Sequence, residues 1–491
     1  MNSVWLVHMI DHSIKIHDRF TLELKLGLLS SQQPSDRFAV KLWLFIPNTL
    51  DINRYTYPKA DFYRDLKTYT RLITPSYLLA DLAATDSPTL VGLESAIAAL
   101  GQEPSAHHQA QYEYHVKMFV SALKSSLRET HVQLTSAAQV AAQPIADSLR
   151  AIINRYRDQH SSLCALPQSD AMLRFYRFGD EYMSNLIELY SFKIIQSVNM
   201  VQGGSQLKEM LLSIIDDEMR YRREQGYDLI DPHNKQRNHD FVFRMGMLKK
   251  YAESHLYMNI RKRRDGILAE HVLYSIAAGI SMVVATAIAF SFQRRYGNFT
   301  MPLFVALVVG YMLKDRIKEL ARYYFAHRMG SRYFDHKIDM EISGIKLGWF
   351  KETMDFIPPA KVPQAVLQRR GKLPIVEVES RVNAEQTLLY RANVSLTTPA
   401  LAALSPYPID GINSIIRFNV SSLLRKADNP EFPLFYPDRD TPQGYRIVAG
   451  ERMYYLNLVL QFKHNGRQTL VPYRIAFNRN GIHSIESAEN A

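Results

Sequence analysis

Three side chains of metal-ligand type lie close together in the stretch HNKQRNHD: His233, His239 and Asp240. Imidazole and carboxylate groups bind zinc when the chain brings them to one side of a helix or turn. The spacing between the two histidines matches no common helical ligand pair, and the preceding Ile-Asp-Pro indicates a loop. The adjacent His107 and His108 would point to different sides of a helix. We therefore predict no metal site and expect HNKQRNHD to be a surface loop.

A second charged stretch, DDEMRYRRE at 216–224, places acids ahead of arginines. Asp216 with Arg220, and Glu218 with Arg222, have the i,i+4 spacing and order that favour ion pairs along a helix. This stretch therefore predicts a solvated, ion-paired helix face rather than a reactive site.

Motifs of the common enzyme and cofactor-binding families are absent from the sequence. It has no phosphate-binding glycine loop, dinucleotide-binding fingerprint, HExxH, GxSxG or kinase motif set. The acids of PDRD at 437–440 have no histidine or further acid nearby in sequence. Catalytic groups can converge from distant positions, so enzymatic activity stays open. We favour a non-enzyme, assign no catalytic, cofactor-binding or metal residue, and expect no cofactor.

One long segment departs from the composition of the rest of the chain. Residues 272–292 contain no Lys, Arg, Asp or Glu, although 22% of all residues are charged. As a helix this segment would span roughly 30 Å, the thickness of a bilayer's hydrocarbon core. A shorter apolar run at 299–313 follows, with Pro302 in its first turn, where a proline is tolerated. We predict a transmembrane helical hairpin at 267–313; the alternative is a buried helical hairpin in a soluble core.

The positive charge of the chain is concentrated around this hairpin. The formal net charge is +11, and residues 249–337 contain 15 basic and 6 acidic residues. This location favours a membrane over nucleic acid, and no nucleic acid is expected as a partner. By the positive-inside rule both flanks are cytoplasmic. The flanking residues set topology or bind anionic lipid; they are Arg261, Lys262, Arg263, Arg264, Lys314, Arg316, Lys318 and Arg322. At the start of the first segment, Glu270 and His271 are expected among the headgroups.

Small side chains recur along both segments at a spacing of four residues, which lets helices approach closely in lipid. We predict a tight antiparallel contact, or a homo-oligomer, through this face. Its residues are Ala277, Ser281, Ala285, Ala289, Ala306 and Gly310.

Periodicity divides the rest of the chain, and the predicted class is an α+β, multidomain membrane protein. Alternating segments in 1–60 predict a small antiparallel sheet, and helical periodicity follows, with segments that include 61–82 and 239–264. The region 425–445 is too rich in proline for a strand, while Asn465-Gly466 predicts a β-hairpin. The predicted units are an N-terminal β segment (1–60), a helical domain (61–264), the hairpin, an amphipathic juxtamembrane helical segment (314–356), a linker (357–372) and a C-terminal β-rich domain (373–491).

These features predict an integral protein of the inner or plasma membrane whose terminal domains face the cytoplasm. The start of the chain lacks a basic signal region, and the single cysteine, Cys164, fits a reducing compartment. We expect a scaffold, receptor or assembly protein that acts through protein partners. The alternatives are a membrane-surface enzyme with an inter-domain site, acting on lipid for example, and an oligomeric pore or transport subunit.

Overall fold

The computed structural model describes residues 10–31, 33–137, 139–166, 169–198, 203–329, 333–370 and 385–487. The chain forms two compact units. The first comprises the described parts of Met1–Tyr69, Asn259–Leu401 and Asn413–Ala491. The second comprises those of Thr70–Met258 and Ala402–Ile412.

The strands of the described residues belong to three sheets. They are β1 (Ile10–Asp18), β2 (Thr21–Leu29), β3 (Ser35–Ile46), β4 (Leu66–Leu72), β5 (Asn259–Arg264), β6 (His336–Ile342), β7 (Ile345–Ile357), β8 (Gln386–Thr397), β9 (Gly411–Asn419), β10 (Glu431–Pro437), β11 (Tyr445–Glu451), β12 (Tyr454–His464), β13 (Arg467–Asn478) and β14 (Gly481–Ser487).

The longer helices lie in the middle of the chain, between β4 and β6. The helices are α1 (Lys59–Asp65), α2 (Leu79–Ala83), α3 (Pro88–Gln102), α4 (Ala106–Thr135), α5 (Ala142–Cys164), α6 (Ser169–Val198), α7 (Gly204–Gln225), α8 (Lys235–Glu253), α9 (Ile267–Tyr296), α10 (Met301–Met329), α11 (Gln364–Arg369), α12 (Thr398–Leu404) and α13 (Ser421–Leu424).

An eight-stranded sheet, in the order β14-β13-β12-β3-β8-β7-β6-β5, dominates the first unit. Strand β3 pairs with β12 on one side and β8 on the other. Its two faces are both apolar, because Leu42 and Leu44 alternate with Trp43 and Phe45, and such a strand is stable in the interior of a sheet. The predicted N-terminal antiparallel sheet is present as the β1–β2 hairpin, whereas β3 lies between C-terminal strands.

The four-stranded sheet has the order β1-β2-β9-β4, and its apolar side chains line a cavity together with those of the large sheet. Leu24 of β2, Leu44 of β3 and Leu458 of β12 line one small internal cavity of about 60 Å³. The opposite face of the large sheet is covered by the segment predicted as a linker, whose Val362 and Val366 pack on Trp43 and Phe45. The core of this unit is thus a layer between two sheets, with a second apolar layer outside β3.

The second unit is helical, and its core holds α4, α5 and α6 together. The rings of Phe119, Tyr156 and Tyr176 stack with centroids 5.0 and 5.1 Å apart. Gly179 of α6 lies against the Tyr156 hydroxyl, where a Cβ atom would come within 2.2 Å. The observed architecture, with an N-terminal antiparallel sheet, a helical middle and a β-rich C-terminal region, confirms the mixed α+β class.

Four segments differ from the elements predicted for them. The region 61–82 contains strand β4 between two short helices, and 239–264 ends as strand β5 after α8 terminates at Glu253. The region 425–445 contains strand β10, because a two-stranded ribbon has a free edge that accepts proline. In 314–356, α10 ends at Met329, and the described residues that follow contain β6 and most of β7. Residues 373–384, the start of the predicted C-terminal β-rich domain, lie outside the described residues.

Candidate membrane anchor and the cleft at its base

The helical hairpin α9–α10 is inserted between two neighbouring antiparallel strands. Strand β5 leads into α9, β6 follows α10, and the two strands pair from Asn259↔Glu341 to Arg264↔His336. At the entry turn, Gly266 has φ +77°, and a Cβ atom there would lie 2.7 Å from the Tyr333 ring. Asp265 accepts a hydrogen bond from Lys351 Nζ at 2.9 Å. The base of the hairpin is therefore fixed to the sheet on both sides.

Within the described residues, α9 alone is long and apolar enough to cross a membrane. It has 30 residues, and its most apolar 18-residue stretch has a mean hydropathy of 2.0. Only 11% of that stretch is buried. Helix α10 is uncharged only in its first half, before Lys314, and does not meet the same criterion.

Large apolar side chains of both helices are exposed along their length. Phe299 at the turn is fully exposed and has φ +59°, a strained value for a residue with a side chain. A soluble protein rarely leaves a contiguous apolar surface of this size uncovered. The exposed residues include Leu268, Val272, Ile276, Ile280, Val283, Phe290, Met301, Phe304, Val305, Val308 and Met312.

The predicted small-residue face lies where the two helices meet. Ala277 and Ser281 of α9 are buried, as are Ala306 and Gly310 of α10. A Cβ atom on Gly310 would lie 3.7 Å from the Ala285 carbonyl oxygen. Ala285 and Ala289 are half-buried. The absence of a side chain at Gly310 thus lets the α10 backbone approach α9.

The basic residues that precede the hairpin lie on strand β5, not on a helix, and most of them are ion-paired. Lys262 Nζ lies 2.8 Å from Glu352 Oε1, and Arg263 Nη2 lies 2.7 Å from Asp339 Oδ2. Arg264 is 3.2 Å from Glu270, while Arg261 is exposed.

The basic residues after the second apolar run lie on α10. Lys314 is 4.0 Å from the centroid of the Tyr311 ring, and Arg322 is 5.0 Å from that of Tyr274 on α9. Arg316 pairs with Glu319 at 3.3 Å, and Lys318 is half-buried. Strand β5 and helix α10 thus place both basic groups on the two segments that continue the hairpin.

A cleft of about 430 Å³ opens beside the first turns of α9. Cationic, acidic and aromatic side chains line it, among them Lys59, Arg264, Glu270, Tyr63, Tyr274 and Tyr333. The charges compensate one another, since Arg264 pairs with Glu270 and Lys59 pairs with Asp335. Such a lining suits a polar ligand that carries both signs of charge.

Asp335 anchors the floor of this cleft through several hydrogen bonds. Its carboxylate accepts from Lys59 Nζ at 2.7 Å, from the Tyr63 hydroxyl at 2.8 Å and from Met354 N at 3.1 Å. Burial alone would raise the pKa of Asp335, but these donors hold it below its usual range. The neighbouring Glu352 is ionised for a similar reason: burial opposes its charge, and contacts with His336, Lys262 and Tyr390 lower its pKa.

Other candidates from the sequence lie apart from this site. His239 and Asp240 are exposed on α8, which begins at Lys235, so the predicted loop is mostly helix; His233 lies before it. His107 and His108 lie in the first turn of α4. No group of three or more His, Cys, Asp or Glu side chains within the described ranges is placed to hold a metal ion.

The stretch at 216–224 is a solvated helix face only in part, because two of its charged residues are buried. Glu218 is 2% exposed and Arg222 1%. Glu218 accepts two hydrogen bonds from Arg157 of α5, at 2.9 and 2.8 Å, and Arg222 donates to Asn185 of α6. These long-range partners lie in other helices, so spacing within α7 could not reveal them.

The polar groups around Asp335 and Glu352 were also missed by sequence reasoning. They come from α1, β5, β6, β7 and β8, which are far apart in the chain. The one local signal was the run of charges in β5.

No family model matches the chain, and no curated protein or solved structure is significantly similar to it.

Proposed function

We propose that this protein is a membrane-anchored docking protein, held in the bilayer by α9 and α10 and acting through protein partners of its two compact units. The observation that carries the proposal is the 11% burial of the apolar stretch of α9. A core helix of the same composition would be covered by the rest of the chain. Apolar exposure continues onto α10 through Phe304 and Val308, which supports a second crossing.

The distribution of basic residues between the turn and the base of the hairpin supports one orientation of the hairpin in the membrane. Basic residues precede α9 and follow the apolar half of α10, and only Arg294 and Arg295 lie near the turn. The positive-inside rule then places the base of the hairpin in the cytoplasm and the turn outside. Lys314 and Arg316 extend α10 by snorkelling toward the cytoplasmic headgroups.

The orientation is tested by labelling one cysteine at a time with a membrane-impermeant maleimide, in a Cys164→Ser background. Asn298→Cys at the turn should be labelled only from outside intact cells, and Tyr55→Cys, which is 92% exposed in the native chain, only in opened cells. The turn cysteine is placed at Asn298 because Gly297 has φ +79°. Labelling of Asn298→Cys only from the cytoplasmic side would refute the orientation, and release of the protein from membranes by alkaline carbonate would refute the anchor.

The docking role is tested with the full-length protein purified from native membranes. A specific partner should be retained when α9 and α10 are exchanged for an unrelated membrane hairpin, since the hairpin serves only as the anchor. Loss of all partners on that exchange would assign binding to the hairpin instead. Recovery of no partner with either form would contradict the role.

The cleft at the base favours a second function, recognition of a zwitterionic lipid headgroup. Tyr63, Tyr274 and Tyr333 offer ring faces and Glu270 a carboxylate to an ammonium group, while Lys59 and Arg264 could bind a phosphate. Native mass spectrometry from phosphatidylcholine nanodiscs should detect retained lipid. Tyr274→Leu should reduce this retention, and Tyr296→Leu near the turn should not. Equal lipid retention in the two variants would exclude the cleft as the headgroup-binding site.

A further inference from the structure

Strands β10 and β11 form a ribbon that no other described strand joins. Every residue of β10 is exposed, and so is every residue of β11 except Gly450, which is half-buried. Apolar side chains occupy both faces: Leu434 and Val448 share one face, and Phe435 and Ile447 share the other. An exposed apolar ribbon of this kind indicates a contact surface.

The two outer edges of the ribbon differ in their hydrogen-bonding capacity. At its ends, Arg452 N donates to Pro430 O at 2.7 Å and Asp438 N donates to Gly444 O at 3.0 Å. The register between these pairs is unbroken, so the even-numbered residues of β10 and β11 bond to each other. Odd-numbered residues therefore direct their backbone groups outward.

This alternation places prolines on only one edge. The outward positions of β10 include Pro433 and Pro437, which have no N–H to donate. The outward positions of β11 all carry an N–H; they are Tyr445, Ile447, Ala449 and Glu451. The β10 edge is thus blocked to a further strand, and the β11 edge is open.

We propose that the open edge of β11 binds β11 of a second copy of this chain, antiparallel and about a two-fold axis at Val448. In this register Tyr445 faces Glu451 of the second copy, and Ile447 faces Ala449. No like charges oppose each other, and each outward N–H of β11 meets a carbonyl. The resulting order is β10-β11-β11-β10.

The proline edges explain why this assembly stops at two copies. Both outer strands of the four-stranded sheet are β10, whose edges cannot accept another strand, so the contact closes as a symmetric dimer. A lipid surface is a poorer occupant, because the ribbon tip carries Asp438 and Asp440 and an open strand edge is unfavourable in hydrocarbon. A foreign strand could use the same edge, but the self-complementary register favours a second copy.

Cross-linking tests the register directly, with the full-length Cys164→Ser protein in nanodiscs and detergent. Facing Val448 residues form a non-hydrogen-bonded pair, whose Cα separation of about 4.5 Å lies within disulfide range. Val448→Cys should therefore give a disulfide-linked dimer on oxidation. Leu434→Cys is the matched control: Leu434 is 50% exposed against 45% for Val448 and shares its face, but the two β10 strands would lie about 14 Å apart.

A second pair of variants tests the backbone contact. Ala449→Pro removes an outward N–H of β11 without breaking a hydrogen bond of the ribbon, and should raise the dimer dissociation constant about tenfold or more. Phe435→Pro makes the equivalent change on β10 and should leave the dimer unchanged. Monomers at all concentrations, cross-linking of Leu434→Cys as efficient as that of Val448→Cys, or equal effects of the two prolines would overturn the proposal.

Discussion

Lys262 of β5 donates from Nζ to Oε1 of Glu352 on β7 at 2.8 Å, across the intervening strand β6. Glu352 is 1% exposed and also accepts a hydrogen bond from Tyr390 at 2.9 Å. Because β5 leads directly into α9, this ion pair holds the start of α9 at the edge of the sheet. Lys262, which the sequence suggests as a determinant of membrane topology or lipid binding, therefore also has a structural role.

Removing this cation should destabilise the protein. Lys262→Met leaves the buried Glu352 carboxylate without its ammonium partner, so we expect the free energy of unfolding to fall by about 1–3 kcal/mol. Chemical denaturation in detergent measures the change. Arg261→Met is the matched control, since Arg261 is exposed and has no ion pair among the described residues, and its effect should stay below about 0.5 kcal/mol. Equal losses would show that strand β5 is not held by this contact.

The contact between α9 and α10 should depend on Gly310. Gly310→Leu places a branched side chain against the Ala285 backbone and should separate the helices, at about 1–3 kcal/mol. Gly279→Leu is the control, because a Cβ atom on Gly279 meets nothing within 4 Å. Thermal unfolding in detergent should show a lower midpoint for Gly310→Leu alone. A similar midpoint for both variants would contradict close packing at Gly310.

The pH dependence of stability should reflect His255 in the helical unit. Burial lowers the pKa of His255 to about 4, opposed by the Ala252 carbonyl and aided by Lys117. In the unfolded chain the ring takes a proton below about pH 6.5, whereas in the folded protein it stays neutral until about pH 4. The free energy of unfolding should therefore fall as pH decreases through this window, by roughly 3 kcal/mol from this group.

The His255 contribution is isolated by comparing variants at several pH values. His255→Phe should flatten the dependence between pH 6.5 and 4 relative to the native protein, since phenylalanine does not titrate. His239→Phe, on the exposed surface of α8, should leave it unchanged. Identical curves for the native protein and His255→Phe would argue against a neutral buried ring.

Sequence patterns identified the elements whose signals are local. The Asn465-Gly466 pair lies at the turn between β12 and β13, with φ of +46° and +78°, and the apolar run at 272–292 lies within α9. Strand β5 was missed because NIRKRR has almost no apolar periodicity, and its hydrogen bonds come from β6, more than seventy residues later. Strand β4 was missed because its Thr and Tyr residues stand among helical segments.

The candidate site was less predictable than the fold. Its basic residues and small residues form local patterns in the sequence, but the residues that they contact do not. Asp335 and Glu352 gain their donors from Lys59, Lys262 and Tyr390, which only the sheet topology brings together. The same limit applies to Glu218, whose partner Arg157 lies sixty-one residues away.

Arg157 pairs with two buried carboxyl groups of the helical unit, so the stability of this unit should depend strongly on it. Its guanidinium binds Glu218 through both terminal nitrogens and lies 3.1 Å from Asp180, which is fully buried. Burial raises the pKa of Asp180 despite this contact and hydrogen bonds from Tyr221 and Tyr227. Arg157→Met should therefore lower the free energy of unfolding by about 3–5 kcal/mol.

The control for this prediction is Arg220→Met, in the same charged stretch of α7. Arg220 is 67% exposed and pairs with Asp217 at 3.3 Å, so its loss should change the free energy of unfolding by less than about 1 kcal/mol. Denaturant titration followed by circular dichroism compares the two variants. A small effect of Arg157→Met would contradict the role of Arg157 in compensating the buried carboxyl groups of Asp180 and Glu218. A shift of both variants to the same midpoint would show that the buried contact of Arg157 with Glu218 contributes no more to stability than the exposed pair of Arg220 with Asp217.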